Sequence, residues 1–475
     1  MQKKQTFLSI SLIAALLSGA GCISPPQRES FHSFERTVAP EIDGASGLTR
    51  LDPCAEPAPA VKSMLTEPLR AETVVRIALA NNRRIQAKYE TLDIAAANRL
   101  SARLLKNPEA GGAVIFSEDD PDKDIVELEA EIDVLHMILL PKKKAIGMAD
   151  YRETRMDVAR DVRTLAYNAR IAFYRLLAGM KKLNLQRDAT YAADASSEMA
   201  KRLRNAGNIK ELDQLNRQAG KERSNLNVMA AELTVTEDRE RLNVLMGLDR
   251  NYTEWKVSDT KMPPVDRVPS LEEASEQALD NSLQLAMIRE QIQIAARKLG
   301  IARMKSVIPR LHLGVAAERE GDGTWFTGPR LAVEIPVFDF GQARRPAAKA
   351  EIRRLQHEFA ATSIEISAAA RKAVEQVRTA NSRLKLYEEK LLPLRRKITE
   401  RTQLQYNAMQ LGVFRLLETK QQEIAAESRY IDEQLNYRIA QAELQQILEG
   451  LIIQTSGRSA AMKSPSAMQT GNDNH

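Results

Sequence analysis

No proline interrupts the chain between Pro141 and Pro263. Within that interval Met156, Ala159, Val162, Ala166, Ala169, Phe173, Leu176, Met180 and Leu183 recur at spacings of three and four, the seam of a coiled-coil-like helix. A helix over Lys143–Asn205 would be about 95 Å long, roughly three diameters of a small domain. Near the other end, Leu417, Ile424 and Ile431 repeat at seven, and Leu435 and Ile439 continue the stripe. Such helices suit a chain that crosses a wide aqueous gap. Charged residues make up 28% and aromatics only 5%, which favours solvent-washed helices over one large compact core. The net charge of +6 comes from 69 basic against 63 acidic residues. With no basic stretch interleaved with aromatics, no nucleic-acid partner is expected.

The chain carries an internal duplication. "LRAETVVRIALANN" from Leu69 matches "PSLEEASEQALDNS" from Pro269, pairing Ala78-Leu79 with Ala278-Leu279 and Asn81 with Asn281. Pro108 answers Pro309, "AGNIKELDQL" at Ala206 answers "LGVFRLLETK" at Leu411, and "VLMG" ending at Gly247 answers "ILEG" ending at Gly450. So steady an offset defines two copies of one unit, far longer than solenoid repeats. We assign residues 69–247 to the first copy and 271–450 to the second. Each reads helix, strand, loop, strand, long helix, tight turn, long helix. The strands are expected at 110–117 and 125–135, then at 311–318 and 330–338.

The stretch "IVELEAEIDV" alternates strictly. Val126, Leu128, Ala130, Ile132 and Val134 are apolar, with Glu127, Glu129, Glu131 and Asp133 between them. On a strand these sets face opposite ways, whereas a helix would scatter the acids round its axis. Each expected strand has about the length that crosses an outer-membrane hydrocarbon layer when tilted. Four strands cannot close a single-chain barrel, and open sheet edges are forbidden in lipid. Sharing one barrel among three chains, twelve strands in all, removes the edges. The apolar face then meets lipid. Glu127, Glu129, Glu131 and Asp133 line the lumen, where crowded carboxylates favour cations.

"MQKKQTFLSISLIAALLSGAGC" has the form of a secretory signal, with Lys3 and Lys4 before an apolar run. It resembles a bacterial lipoprotein signal, in which Cys22 is lipidated and becomes the first mature residue. The alternative is an ordinary signal peptide whose Cys22 stays a thiol. Residues 1–21 are the signal, 22–68 a lipid-anchored extended arm, and 456–475 a small polar tail expected to be disordered. Cys54 has no partner once Cys22 is acylated, so no intrachain disulfide is expected. The cysteines and histidines show no metal-ligand spacing. No nucleophile–base pair or phosphate loop is present, so no enzyme, metal site or cofactor is expected beyond the lipid.

From about Leu69 to Gly450 the chain resembles the TolC family of outer-membrane efflux proteins. The resemblance rests on the duplicated plan, on "PVFDFGQARR" at 336–345, on "LLPL" at 391–394, on the Tyr406-x5-Gly412 spacing and on Gly247 and Gly450. It implies a mainly α chain with a small β part. Long antiparallel helices would form an α-barrel through the periplasm, and four strands per chain a 12-stranded trimeric β-barrel in the outer membrane. It implies a homotrimer docked on a periplasmic adaptor and an inner-membrane pump, exporting small molecules or metal ions. The hairpin tips, with Gly207 and Asn208 in one and Gly412 and Val413 in the other, would contact the adaptor. Alternatively these glycines are only helix C-caps. Six residues past each glycine stand Asp213 and Glu418. The resemblance implies an acidic ring there at the periplasmic entrance; the alternative is two solvated helix charges. Where the family commonly has a second aspartate, this chain has Asn216 and Gln421. The first copy has "HMILLPKKKA" in place of "FDFG". Two other functions stay open: the outer-membrane component of a type I protein-secretion system, and a structural periplasmic coiled-coil lipoprotein.

Overall fold

A computed structural model describes residues 29–38, 48–52, 59–116, 124–258 and 267–451. The signal segment, Cys22, Cys54, most of the arm and the tail lie outside them. The chain divides into two compact units.

The first unit comprises residues up to Arg36, Tyr89–Thr154 and Arg297–Arg345. It holds one antiparallel sheet in the order β1-β2-β3-β4: Glu109–Ile115, Ile125–Asp133, Leu311–Arg319 and Trp325–Val333. The central pair, β2 and β3, joins the two sequence repeats; Glu127 stands opposite Glu318 and Asp133 opposite His312. β4 begins five residues before the expected 330 and ends at Val333. A tight turn is the reason. Glu320 donates to the Thr324 carbonyl, Gly323 donates to that of Glu320, and Arg319 is at once paired with Trp325. Pro336 therefore falls outside the sheet. Pro329 lies within β4, an edge strand, where a missing N–H is tolerated.

Among the described residues, four helices precede the long one that follows β2: α1 (Glu29–Val38), α2 (Pro59–Thr66), α3 (Ala71–Asn81) and α4 (Arg83–Ser101). That long helix starts sooner than the proline pattern suggests. α5 runs Val134–Asn205, through Pro141. Asp133 ends the strand and its Oδ1 accepts from the His136 amide at 2.8 Å, as an N-capping carboxylate does. This is what stands in the first copy where the second has "FDFG". There the chain runs past β4 through an irregular segment of bends and a turn, with Gly341 left-handed at φ of 76°, and the next long helix begins only at Arg344.

The second unit comprises residues 37–88, 155–296 and 346–475. Its first hairpin pairs the bulk of α5 with α6 (Glu211–Met246). After α7 (Leu271–Asp280) and α8 (Leu283–Lys305), its second pairs α9 (Arg344–Leu386) with α11 (Val413–Leu448). Between α9 and α11 a π turn at Tyr387–Leu391 leads into α10 (Leu392–Asn407). Pro393 has no N–H to continue the ladder, and Leu392 reaches back five residues to the Tyr387 carbonyl instead. In α5, Ala159, Val162, Ala166, Ala169, Phe173, Leu176 and Leu183 are buried, as their spacing requires, whereas Met156 is half-buried and Met180, on the same stripe, is exposed. In α9 the buried seam is Ile366, Ala370, Ala373, Val377 and Ala380, packed with Ala440, Leu444 and Ile447 of α11. Alanines along this seam let the helices approach closely. Burial holds the Glu443 carboxyl above its usual range. Burial, aided by the Glu443 charge, pushes the Tyr167 phenol up to about 12.

The duplicated letters at the ends of the repeats have one physical meaning. Asn81, closing α3, donates through Nδ2 to the carbonyls of Met246 at 3.0 Å and Gly247 at 2.8 Å. Asn281, just past α7, donates to the Leu448 carbonyl at 2.8 Å. Gly247 and Gly450 are both left-handed, with φ of 67° and 91°. The following amides bond six-to-one, Leu248 to Asn243 and Leu451 to Gln446, which makes both ends Schellman caps. Each repeat thus starts with an asparagine that ties down its own last helix.

Candidate functional site

Strand register sorts the sheet residues into two faces. One carries Val114, Val126, Leu128, Ile132, Leu313, Val315, Leu331 and Val333. These apolar side chains are exposed or half-buried, Leu331 at 65% and Val315 at 58%. An unpartnered apolar patch of this extent needs a nonpolar surrounding. Among the described residues no helix is long and apolar enough to cross a membrane.

The opposite face carries Glu127, Glu129, Glu131 and Asp133 of β2, with Glu109 of β1, His312 and Glu318 of β3 and Arg330 of β4. The four β2 acids are not equivalent. Glu129 pairs with Arg330. Glu131 Oε1 lies 2.7 Å from His312 Nδ1. Asp133 Oδ2 accepts from Lys106 Nζ at 3.0 Å. Glu127 is exposed and faces Glu318 directly. The uniform anionic lining expected from the β2 sequence is therefore compensated at three positions by cationic or imidazole groups from other segments. None of these could be found from β2 alone; each needs the folded register.

The hairpin tips belong to the second unit. The α5 end is a Schellman cap: Asn208 donates to the Leu203 carbonyl at 2.8 Å, Gly207 to Arg204 at 2.9 Å, and Gly207 has φ of 76°. In the second hairpin the same bonds run from Gln410 to Gln405 and from Met409 to Tyr406, both at 2.9 Å. The left-handed residue there is Met409, with φ of 59°. Gly412 has an extended backbone and is the N-cap of α11, the role Lys210 plays for α6. Matching glycine to glycine thus misaligns the tips by about one helical turn. Asp213 is the third residue of α6; its counterpart is Arg415, and the counterpart of Glu418 is Asn216. The expected equivalence of Asp213 and Glu418 is corrected accordingly.

Asp213 is exposed in the first turn of α6 beside Glu211, where the helix dipole favours carboxylates. Glu418 Oε2 accepts from Arg415 Nη1 at 3.1 Å. Asn208 is exposed and Val413 half-buried. The Arg217 guanidinium sits 4.6 Å from the Phe414 ring centroid, a cation–π contact tying the two tips together. Met409 is 94% exposed, an apolar side chain held in a backbone conformation that disfavours it. Sequence reasoning missed both Met409 and Phe414. Aligning helix caps rather than glycines is the signal that would have found Met409.

The cobalt-zinc-cadmium resistance protein CzcC of Cupriavidus metallidurans is 20% identical over 380 residues, spanning 77% of this chain and 86% of its own length. Solved structures that share the fold include two outer-membrane proteins. The CmeC outer membrane channel of Campylobacter jejuni has a TM-score of 0.65 at 16% identity, over 80% of this chain and 85% of that one. The outer membrane protein VceC of Vibrio cholerae has a TM-score of 0.67 at 12% identity, over 80% of this chain and 96% of that one. No protein-family model matches.

Proposed function

We propose that this chain, which has the fold of the TolC-family outer-membrane channels, is the outer-membrane channel of a tripartite efflux system. It is a passive duct and not an enzyme. Three copies close their sheets into one barrel, and the helices continue the duct through the periplasm toward an adaptor and an inner-membrane pump. The observation that carries this reading is the sheet: four strands, two open edges, one exposed apolar face and one polar face. A structural coiled-coil lipoprotein has no use for such a sheet. Metal ions as a cargo class are supported by the likeness to a protein named for cobalt, zinc and cadmium resistance. The tips bearing Gly207, Asn208, Gly412 and Val413 are the adaptor-contact surface, Asp213 and Glu418 act at the entrance, and Cys22, outside the described residues, carries the lipid.

Thiol labelling along β2 tests the reading. In a Cys54→Ser background, single cysteines at positions 126–133 are exposed to a membrane-impermeant reagent in intact cells. Positions 127, 129, 131 and 133 are expected to react, and 126, 128, 130 and 132 to be shielded by lipid. Uniform labelling, or a period near 3.6, would remove the barrel.

A further inference from the structure

We propose that Glu109, Glu131 and His312 form a binding site for a divalent transition-metal ion on the polar face of the sheet. The three come from three neighbouring strands, β1, β2 and β3, and their donor atoms lie within 4.8 Å of one another. Glu109 stands directly opposite Glu131 in the ladder. Like charges so placed destabilise a strand pair, and a bound cation reverses the sign of that contact. Glu129 and Asp133 already have cationic partners in Arg330 and Lys106. Glu131 has instead an imidazole, a group that serves as a neutral metal ligand.

His312 adds a buried imidazole to the two carboxylates. It is only 8% exposed, yet it bonds through one ring nitrogen, Nδ1, to Glu131 at 2.7 Å. Its Nε2 has no hydrogen-bond partner among the described residues. Donors about 2.0–2.1 Å from a tetrahedral ion sit about 3.3 Å apart. The observed donors span that spacing, from 2.7 Å between His312 and Glu131 to within 4.8 Å for the set.

One imidazole nitrogen and two carboxylates suit Zn2+, Co2+ or Ni2+. Cu+ calls for thiolate or thioether ligands, and Mg2+ for an oxygen octahedron. Three protein donors leave a coordination position for water, so the ion can exchange. A bound ion would also clamp strands of both sequence repeats. That ions meet this face inside a channel rests on the function proposed above; the donor set does not.

The test uses the purified full-length protein. Co2+ is titrated by its visible d–d absorption, and Zn2+ by competition against it in millimolar Mg2+. One ion per chain is expected, with the intense bands of a four-coordinate site. His312→Asn, and separately Glu109→Gln on the exposed edge strand, should weaken Co2+ and Zn2+ binding about tenfold or more. Glu198→Gln, an exposed acid on a helix of the other unit, should leave it unchanged. Melting curves without metal confirm that each variant folds. Binding that is absent in the parent, or equal in the parent and both ligand variants, overturns the site. Bilayer conductance of the same preparation judges the channel separately: protein that binds Co2+ as described but does not conduct keeps the site and loses the channel.

Discussion

Replacing Gly450 by alanine is expected to remove most of the assembled protein from the membrane. Gly450 has φ of 91°, and a Cβ there would lie 1.9 Å from the Asn281 carbonyl oxygen and 2.6 Å from its carbon. The left-handed backbone alone costs a non-glycine residue about 1–2 kcal/mol. The overlap is with backbone, so relief must separate Asn281 from the end of α11 and disturb the bond from its side chain to Leu448. Together these place the loss at roughly 3–5 kcal/mol, the range of severe single substitutions. Gly247→Ala meets the Asn81 carbonyl oxygen at 2.5 Å and should be nearly as harmful. The tip glycines provide the contrast. Gly207 has φ of 76° but open space within 4 Å of where a Cβ would stand, and Gly412 has an ordinary φ of −74° and equal room. Gly207→Ala should lose about 1 kcal/mol, and Gly412→Ala only the roughly 0.5 kcal/mol by which Ala is a poorer N-cap than Gly. Thermal melts and assembled yield of the four variants check this order. If Gly412→Ala is stable but export fails, Gly412 serves the close approach of a partner.

The second large effect is expected at the entrance. At an effective dielectric of about 20, a carboxylate about 8 Å from a passing cation contributes about 2 kcal/mol, roughly a thirtyfold change in affinity. Asp213→Ala combined with Glu418→Ala should therefore weaken block of single-channel current by multivalent cations from the periplasmic side by at least about tenfold. Arg415, which neutralises Glu418 at 3.1 Å, supplies a variant of opposite sign: Arg415→Ala should strengthen the block. Glu198→Ala removes an exposed acid paired with Arg202 and should change little. If the double variant conducts and blocks like the parent, Asp213 and Glu418 are ordinary solvated helix charges.

The elements that sequence reading located well were those with a period. The seam from Ala159 to Leu183 and the alternation from Ile125 to Asp133 each state which side chains must be buried together or face alike, and burial and register follow them with Met180 as the exception. The Asn and Gly letters closing the repeats were legible as a duplication, but their hydrogen bond was not, because it joins residues 165 positions apart. Turn register at the tips is not legible from glycine positions, because Met409 adopts the left-handed conformation and Gly412 an N-cap. The π turn before Pro393 and the early start of β4 depend on local hydrogen bonding that composition does not encode. Charge on the polar face was half legible. The β2 acids were plain, while Arg330, His312 and Lys106, which compensate them, come from segments that only the folded register brings alongside. For the same reason Glu109, Glu131 and His312 show no ligand spacing in the sequence.

Closure of three open sheets into one barrel is tested most directly by disulfide crosslinking between the two edge strands. Within one chain β1 and β4 are separated by two strands, which puts them about 14 Å apart. A disulfide needs Cα atoms within about 7 Å, so a bond between β1 and β4 must join different copies. In a Cys54→Ser background, each chain receives one cysteine on β1, at Ala110, Gly112 or Val114, and one on β4, at Thr327, Leu331 or Val333. All six positions are on the apolar face. After oxidation in intact outer membranes, the expected result for the pairs in register is a ladder of covalent dimer and trimer that stops at three. A ladder that runs past three, or no intermolecular bond at any of the nine pairs, would contradict a trimeric barrel.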